Sequence, residues 1–260
     1  MPTVEINLKS AGLQKELVRD KLCELIYSEY PLVLRNGDFF GDLKAWRYFL
    51  DKTCNFSEDK RHFGFGEDLV LSEWWEISYQ PDKATSYTYS KTRQPLHTDN
   101  AWFEDGADIN FFVMKKQAIT GGEQFIYPVS RLIEDLEKDS PLLLEDLKNI
   151  QITIQKGDTD LKNETTILKK KRERYHIFWN FYRTQKNDST VNKMCNSFFN
   201  YLENKENSVS IERIRCNSGD CFAFNDSLLL HGRESFEAYK PFDRILLQSM
   251  WNITTQHPAS

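Results

Sequence analysis

The sequence lacks most features that would take it out of the ordinary soluble class. No apolar run approaches the ~20 residues needed to span a bilayer. The opening, MPTVEINLKSAGLQKELV, has neither the basic start nor the apolar stretch of a secretory signal. These absences predict a cytoplasmic protein with no membrane partner. Positive charge is in deficit, with 34 Lys and Arg against 39 Asp and Glu. A nucleic-acid binder usually carries a basic face, so no nucleic-acid partner is expected. Cysteine is sparse: Cys23, Cys54, Cys195, Cys216 and Cys221 are odd in number and form no C-x-x-C pair. That excludes a thiolate zinc site and predicts reduced thiols. No repeat and no low-complexity tract is present, and there are only five histidines.

What remains is a chain of 260 residues with 40% hydrophobic content, enough for one large core. A single domain over 1–260 is expected. Apolar residues at helical spacing predict helices over 12–29 and 42–54, which would pack on the rest as an N-terminal cover. A third helix is expected over 130–148, broken at Ser140-Pro141, with serine as cap and proline in the first helical position. A fourth is expected over 191–202. Leu32-Val33-Leu34 reads as a short buried strand. From residue 73 onward the pattern turns to aromatic and β-branched runs: EWWEISYQ, DINFFVM, EQFIYPV, IQITIQ, RYHIFWNFYR, SVSIERIRC, GDCFAFND and DRILLQSMWNI. About eight such strands predict an antiparallel sandwich or barrel decorated by helices. The polar stretch 156–174, basic at its end, is expected to be a surface loop or lid.

Two histidines stand in suggestive contexts. In QPLHTDNAWF, His97 and Asp99 are two apart, so on a strand they share a face. In GDCFAFNDSLLLHGRESF, His231 closes an apolar run and can face inward. Two imidazoles and one carboxylate make the facial set of non-haem Fe(II) oxygenases. Three protein ligands on one face leave three positions open. A 2-oxo acid can chelate through two and O2 can take the third. Thirteen residues past His231 comes Arg244, flanked by Phe242 and Ile245-Leu246-Leu247. The intervening GRESFEAYKP can turn the chain, which would set His231 and Arg244 on neighbouring antiparallel strands. An inward arginine there can hold a carboxylate by a bidentate, charge-assisted pair.

Taken in order, HTDNAW, ITGGEQF, GDCFAFNDSLLLHGRESF and DRILLQ resemble the TauD/TfdA family of Fe(II)/2-oxoglutarate dioxygenases, in particular its clavaminate synthase-like branch. They span residues 97–247, and LVLRN near residue 34 resembles the family's early strand. The resemblance implies a mainly β fold with flanking helices around a double-stranded β-helix, or jelly-roll, core. It implies iron on His97, Asp99 and His231, and 2-oxoglutarate on Arg244. One position departs: the family commonly has threonine after Gly-Gly-Asp/Glu, and here Gln124 follows Gly121-Gly122-Glu123. Its amide can still donate to a carboxylate. Arg233, two residues past His231, ranks second to Arg244 as a carboxylate binder. Asp99 keeps the carboxylate that iron halogenases give up, so halogenation is not expected.

The implied reaction is hydroxylation of an unactivated C–H in a small polar metabolite, such as an amino acid or derivative, with Fe(II), 2-oxoglutarate and O2. Substrate contacts are expected from Asn100 and Trp102, which follow the metal ligands. Tyr89 and Glu76 are candidates from the aromatic segment before them, and Arg183 could hold an anionic group. His62 and His176 read as structural or surface residues, and His257 as part of a tail. Two rival readings use the same ligands: a cupin-like enzyme or metal hydrolase, and a non-catalytic sensor of metal or 2-oxoglutarate. Neither rival enzyme has a use for Arg244.

Overall fold

The structure is a computed structural model, and it describes residues 3–9, 15–61 and 74–254. Two sheets face each other, as a jelly-roll requires. The larger has seven strands in the order β1-β2-β13-β6-β15-β3, with β4 also paired to β15. These are β1 (Val4–Asn7), β2 (Leu32–Arg35), β3 (Phe56–Glu58), β4 (Trp75–Ser78), β6 (Ile109–Lys116), β13 (Cys221–Phe224) and β15 (Ile245–Ile253). The smaller has four, in the order β12-β7-β14-β5: β5 (Gln94–His97), β7 (Gln124–Pro128), β12 (Glu212–Ile214) and β14 (Leu229–Arg233).

Strand alternation sorts the side chains into three apolar layers. Phe112 and Met114 of β6, Phe222 and Phe224 of β13, Leu229 of β14 and Leu246 of β15 fill the space between the sheets. Phe112 and Phe222 stack there with centroids 4.6 Å apart. The alternate residues Ile109 and Phe111 face outward onto Leu22 of α1 (Lys15–Glu24) and Trp46 of α2 (Leu43–Tyr48). The N-terminal helices therefore do cover the large sheet. Helix α2 is started by the Asp42 carboxylate, which accepts from the amides of Lys44 and Ala45. On the outside of the small sheet lie α3 (Val129–Asp139), α4 (Pro141–Asn149) and α5 (Ser189–Lys205), packed through Leu132, Leu147 and Phe198.

Several expectations need correction. The first helix ends at Glu24, with a tight turn carrying the chain to Tyr27, and its expected start at 12–14 lies outside the described residues. Proline does begin α4, but the Ser140 side chain makes no capping bond. The stretch 156–174 is no loop or lid. It contains β9 (Lys162–Thr166) and β10 (Leu168–Lys171), which pair with β8 (Gln151–Gln155) and β11 (Arg174–Ile177) as hairpins. The alternation there was hidden because its buried positions include polar Asn163 and Thr165. The expected strand 174–183 stops at Ile177, and Arg183 lies in a turn whose amide donates to the Asn180 carbonyl. Finally, His231 and Arg244 are not on neighbouring strands. Arg244 directly precedes β15, so the two face each other from opposite sheets. His62 and His257 lie outside the described residues. Among those residues, no helix is long and apolar enough to cross a membrane.

Candidate metal centre and active site

Positions 229, 231 and 233 of β14 alternate with 230 and 232, so His231 and Arg233 point inward with Leu229, while Leu230 joins the helix-side layer. Gly232 is fixed by that helix side: a Cβ there would stand 2.2 Å from the Phe125 ring. His97, the last residue of β5, pairs directly with His231, and their rings lie 4.3 Å apart. Asp99 follows in the turn beyond β5 rather than on the strand. One ligand atom from each of His97, Asp99 and His231 lies within 4.8 Å of the others. His97 Nε2 is 3.4 Å from Asp99 Oδ1, and His231 Nε2 is 3.6 Å from Asp99 Oδ2.

The surroundings prepare all three for a cation. His97 Nδ1 lies 2.9 Å from the Pro95 carbonyl, an acceptor only, which leaves Nε2 as the lone-pair nitrogen. His231 Nδ1 is 2.9 Å from Asp226 Oδ1. Burial pushes the His231 imidazole toward its neutral form, against the pull of Asp99. Burial alone would raise the Asp99 carboxyl. The charges of His231 and His97, the His97 hydrogen bond and the Gln248 amide outweigh it and hold the group below its usual range. Gln248 Nε2 donates to Asp99 Oδ2 at 2.8 Å, and Asn110 reaches the same oxygen at 3.4 Å. Two ring nitrogens and a carboxylate grouped on one side are donors that a divalent metal takes up by displacing protons. The donor set therefore fits Fe(II).

Gln94 adds a contact that the sequence does not announce. Its amide nitrogen is 2.9 Å from His97 Nε2. Strand alternation would turn Gln94 away from His97, but the ladder shifts by one residue between His231 and Arg233, pairing Arg233 with Gln94. That bulge swings Gln94 onto the inner face.

Across the barrel, Arg244 is 1% exposed. Its Nε donates to Gln117 Oε1 at 3.2 Å. The Gln124 amide satisfies its neighbours in one orientation, donating to the Gly232 carbonyl at 3.0 Å and accepting from Arg244 Nη2 at 3.2 Å. Gly122 (φ +79) passes so close that a Cβ would lie 3.1 Å from Arg244 Nε. No carboxylate among the described residues makes a salt bridge to Arg244. Burial, reinforced by the Arg233 charge, lowers its affinity for its proton. Asp243, the alternative partner, pairs with Lys116 instead. Arg233 is also buried but is occupied: Nη2 donates to the carbonyls of Ser90 and Thr92 at 2.9 and 2.8 Å, and Nη1 to Tyr87 at 3.4 Å.

Beside the three ligands opens a cavity of about 590 Å³ that includes His97, Asp99, Gln94, Trp102 and Arg183 in its wall. Trp102 and Arg183 are thus brought to it. Asn100 is not. Its left-handed backbone (φ 52) turns the amide onto Met250 Sδ at 2.7 Å, and it lines a small void behind Asp99. Tyr89 lies outside the cavity wall, with the Lys83 ammonium over its ring at 5.3 Å; Tyr87 lines the cavity instead. Glu76 is exposed on β4 and accepts from Ser78 Oγ at 2.7 Å, remote from the cavity wall.

A sequence profile of the family described as "Taurine catabolism dioxygenase TauD, TfdA family" matches residues 5–251. The chain belongs to the TauD/TfdA family. Human (Homo sapiens) gamma-butyrobetaine dioxygenase is 22% identical over 210 residues, 75% of this chain and 53% of that protein. The chain thus spans about half the length of the curated relatives it matches. Among solved structures, an asparagine oxygenase in complex with Fe(II), 3-hydroxyasparagine and succinate superposes with a TM-score of 0.74 at 12% identity, over 98% of this chain and 94% of that one. The non-heme iron oxygenase OrfP, with Fe and alpha-ketoglutaric acid, gives 0.68 at 12% identity over 97% and 94%. These likenesses establish the double-stranded β-helix of this TauD/TfdA member, and iron and 2-oxoglutarate are the cofactor and cosubstrate of such enzymes.

Proposed function

We propose that this TauD/TfdA member is an Fe(II)- and 2-oxoglutarate-dependent oxygenase that hydroxylates a small polar metabolite, such as an amino acid or derivative, in the cytoplasm. The net reaction is R–H + O2 + 2-oxoglutarate → R–OH + succinate + CO2. One observation carries the reading. A buried arginine to which no carboxylate among the described residues makes a salt bridge stands opposite a two-histidine, one-carboxylate cluster. A hydrolase or a cupin-type enzyme has no need of the arginine.

His97, Asp99 and His231 would hold the iron. When bound, it supplies adjacent positions for the 2-oxo acid and O2 and couples oxidative decarboxylation to oxygen insertion. The protein's part is orientation. Gln248 and Asn110 keep Asp99 from rotating away, the Pro95 carbonyl orients the His97 ring, and the Asp226 carboxylate lies beside His231 Nδ1. Arg244 would take the 2-oxoglutarate carboxylate farthest from the metal. Gln124, already bonded to Arg244, supports that guanidinium rather than replacing the absent threonine hydroxyl. Arg233, spent on three carbonyls, supports the cavity wall instead. Phe224 packs its ring 4.9 Å from that of His231, so the apolar layer between the sheets closes off that side of the cluster. Trp102 and Arg183 would contact substrate.

The test is anaerobic addition of Fe(II) and 2-oxoglutarate, followed by oxygen. The expected result is a weak visible absorption band, then succinate release. Protein that holds iron yet shows neither sinks the assignment.

A further inference from the structure

The loop from residue 117 to 123, which leads into β7, is gathered around one arginine. In the antiparallel pairing of β12 with β7, Ile214 lies opposite Gln124. One further step of that register sets Arg215 opposite Glu123. The Arg215 guanidinium spends both terminal nitrogens on this one loop. Nη1 donates to the Gly121 carbonyl at 2.8 Å and to Glu123 Oε1 at 2.7 Å. Nη2 donates to the carbonyls of Ala118 and Ile119 at 2.8 and 3.1 Å. The Arg215 main chain is held in turn, since its carbonyl accepts from Arg35 Nη1 at 2.7 Å. The other side of the same loop touches Arg244. Gln117 accepts from Arg244 Nε at 3.2 Å, and its own amide donates to the Cys216 carbonyl at 2.8 Å. Gly122 stands against the same Nε. Two adjacent residues, Arg215 and Cys216, therefore grip both ends of the loop that seats Arg244.

Charge is not what Arg215 gives Arg244. Burial and the Arg233 charge weigh most against the Arg244 cation; Arg215 adds to them, and Glu123 offsets it. What Arg215 supplies is shape. A planar fork can bind four acceptors spread along a loop, whereas an ammonium gathers its donors at one point. We propose that Arg215 is a positioning residue for the cosubstrate pocket: by gathering the 117–123 loop it fixes where the Arg244 guanidinium sits, and so the length of diacid that fits between that guanidinium and the metal. This rests on the assignment of 2-oxoglutarate to Arg244.

The variants to compare are Arg215→Ala and Arg215→Lys. Arg213→Ala is the control, since Arg213 lies two residues away and pairs with Glu234 instead of this loop. 2-Oxoglutarate and 2-oxoadipate, which differ by one methylene, are titrated into each Fe(II)-loaded protein without oxygen. The wild type should prefer 2-oxoglutarate by at least about tenfold, the usual worth of a methylene in a fitted pocket. Both Arg215 variants should bind 2-oxoglutarate about tenfold more weakly, as loss of a supporting partner does at a metal site. Their preference over 2-oxoadipate should narrow to about threefold, because a loosened seat no longer measures length. A second measurement needs no cosubstrate. Exchange of the Arg244 Nε–H with water, followed by NMR and assigned by its loss in Arg244→Lys, should speed at least about tenfold in both Arg215 variants. Arg213→Ala should match the wild type throughout. Wild-type affinity and selectivity in Arg215→Lys would reduce the residue to a charge and overturn the proposal. So would weaker binding with selectivity and exchange unchanged. If Arg215→Ala does not fold, Arg215→Lys decides alone. A wild type that binds neither acid would sink the assignment to Arg244 separately, and the exchange rate would still decide whether Arg215 seats that residue.

Discussion

Arg233 and Arg244 lie over the same Phe236 ring, with guanidinium carbons 5.0 and 5.3 Å from its centroid, and both are almost wholly buried. Their surroundings differ in one respect. Arg233 is surrounded by main-chain carbonyls of the segment that walls the cavity. Arg244 has two carboxamide oxygens and no main-chain oxygen among its hydrogen-bond partners. A buried cation costs free energy unless its charge is met. The first gives both terminal nitrogens to main-chain oxygens, with its Nε left unpartnered, which favours a structural role. The second is met only by two carboxamide oxygens, which is why it is proposed as the 2-oxoglutarate site. Residue type and burial alone would not separate them; the inventory of acceptors does.

The sharpest way to break this comparison is Arg244→Ala. Truncating one partner of a buried charged pair costs roughly 2–5 kcal/mol, so 2-oxoglutarate should bind at least about 30-fold more weakly. Iron affinity should hold within about threefold. Titration of both variants without oxygen decides it, and a larger loss in Arg233→Ala would exchange the two roles. A stability measurement gives the next largest effect. At about 100 times its dissociation constant, 2-oxoglutarate should stabilise the iron-loaded wild type by about 2.7 kcal/mol against thermal unfolding. At the same concentration a site about 30-fold weaker or more should stabilise Arg244→Ala by no more than about 0.9 kcal/mol. Arg233→Met should act the other way. It strands the carbonyls of Ser90 and Thr92, a loss of about 1–3 kcal/mol in denaturant unfolding. It should raise the substrate KM while 2-oxoglutarate affinity stays near wild type. The smallest effect belongs to Gln124→Ala. One hydrogen bond of about 1 kcal/mol predicts roughly fivefold weaker 2-oxoglutarate binding, with unfolding little changed. A loss as large as that of Arg244→Ala would make Gln124 a direct ligand.

How far the sequence could be read follows from the same logic. His97, Asp99, His231 and Arg244 were legible because rare residue types stood in apolar runs at ordered spacing. Gln248 was within reach of the same argument: four residues past Arg244, it shares its inward face on an alternating strand. Gln94 was not, since only a one-residue bulge aims it at His97. Asp226 left no periodic signal, because the chain between it and β14 is a turn. Glu76 misled because composition cannot say which edge a strand takes. Strand β4 pairs with β15, and Glu76 is left exposed there. Tyr89 misled for a related reason: in a segment without regular alternation, neighbouring tyrosines cannot be assigned to faces by counting. The hairpins within 156–174 were missed because Asn163 is buried for its hydrogen bonds, to the carbonyls of Ala101 and Phe103.

Those two bonds divide the labour of the fold in a way that bears on how it changes over generations. The three clustered ligand candidates and the groups around them hang mainly from ladders whose register is fixed by two packed faces. Apart from Gln94 and His97 of β5 and the adjoining Asp99, the groups around the cavity come from segments outside the ladders: residues 84–92, Trp102 and the turn at 180–183. Asn163 sets the position of Ala101 and Phe103, on either side of Trp102, from a hairpin distant in sequence. Drift in these segments can reshape the cavity wall while the cluster of His97, Asp99 and His231 is inherited intact. For the protein engineer the same division marks where a library should be built, and where it should not.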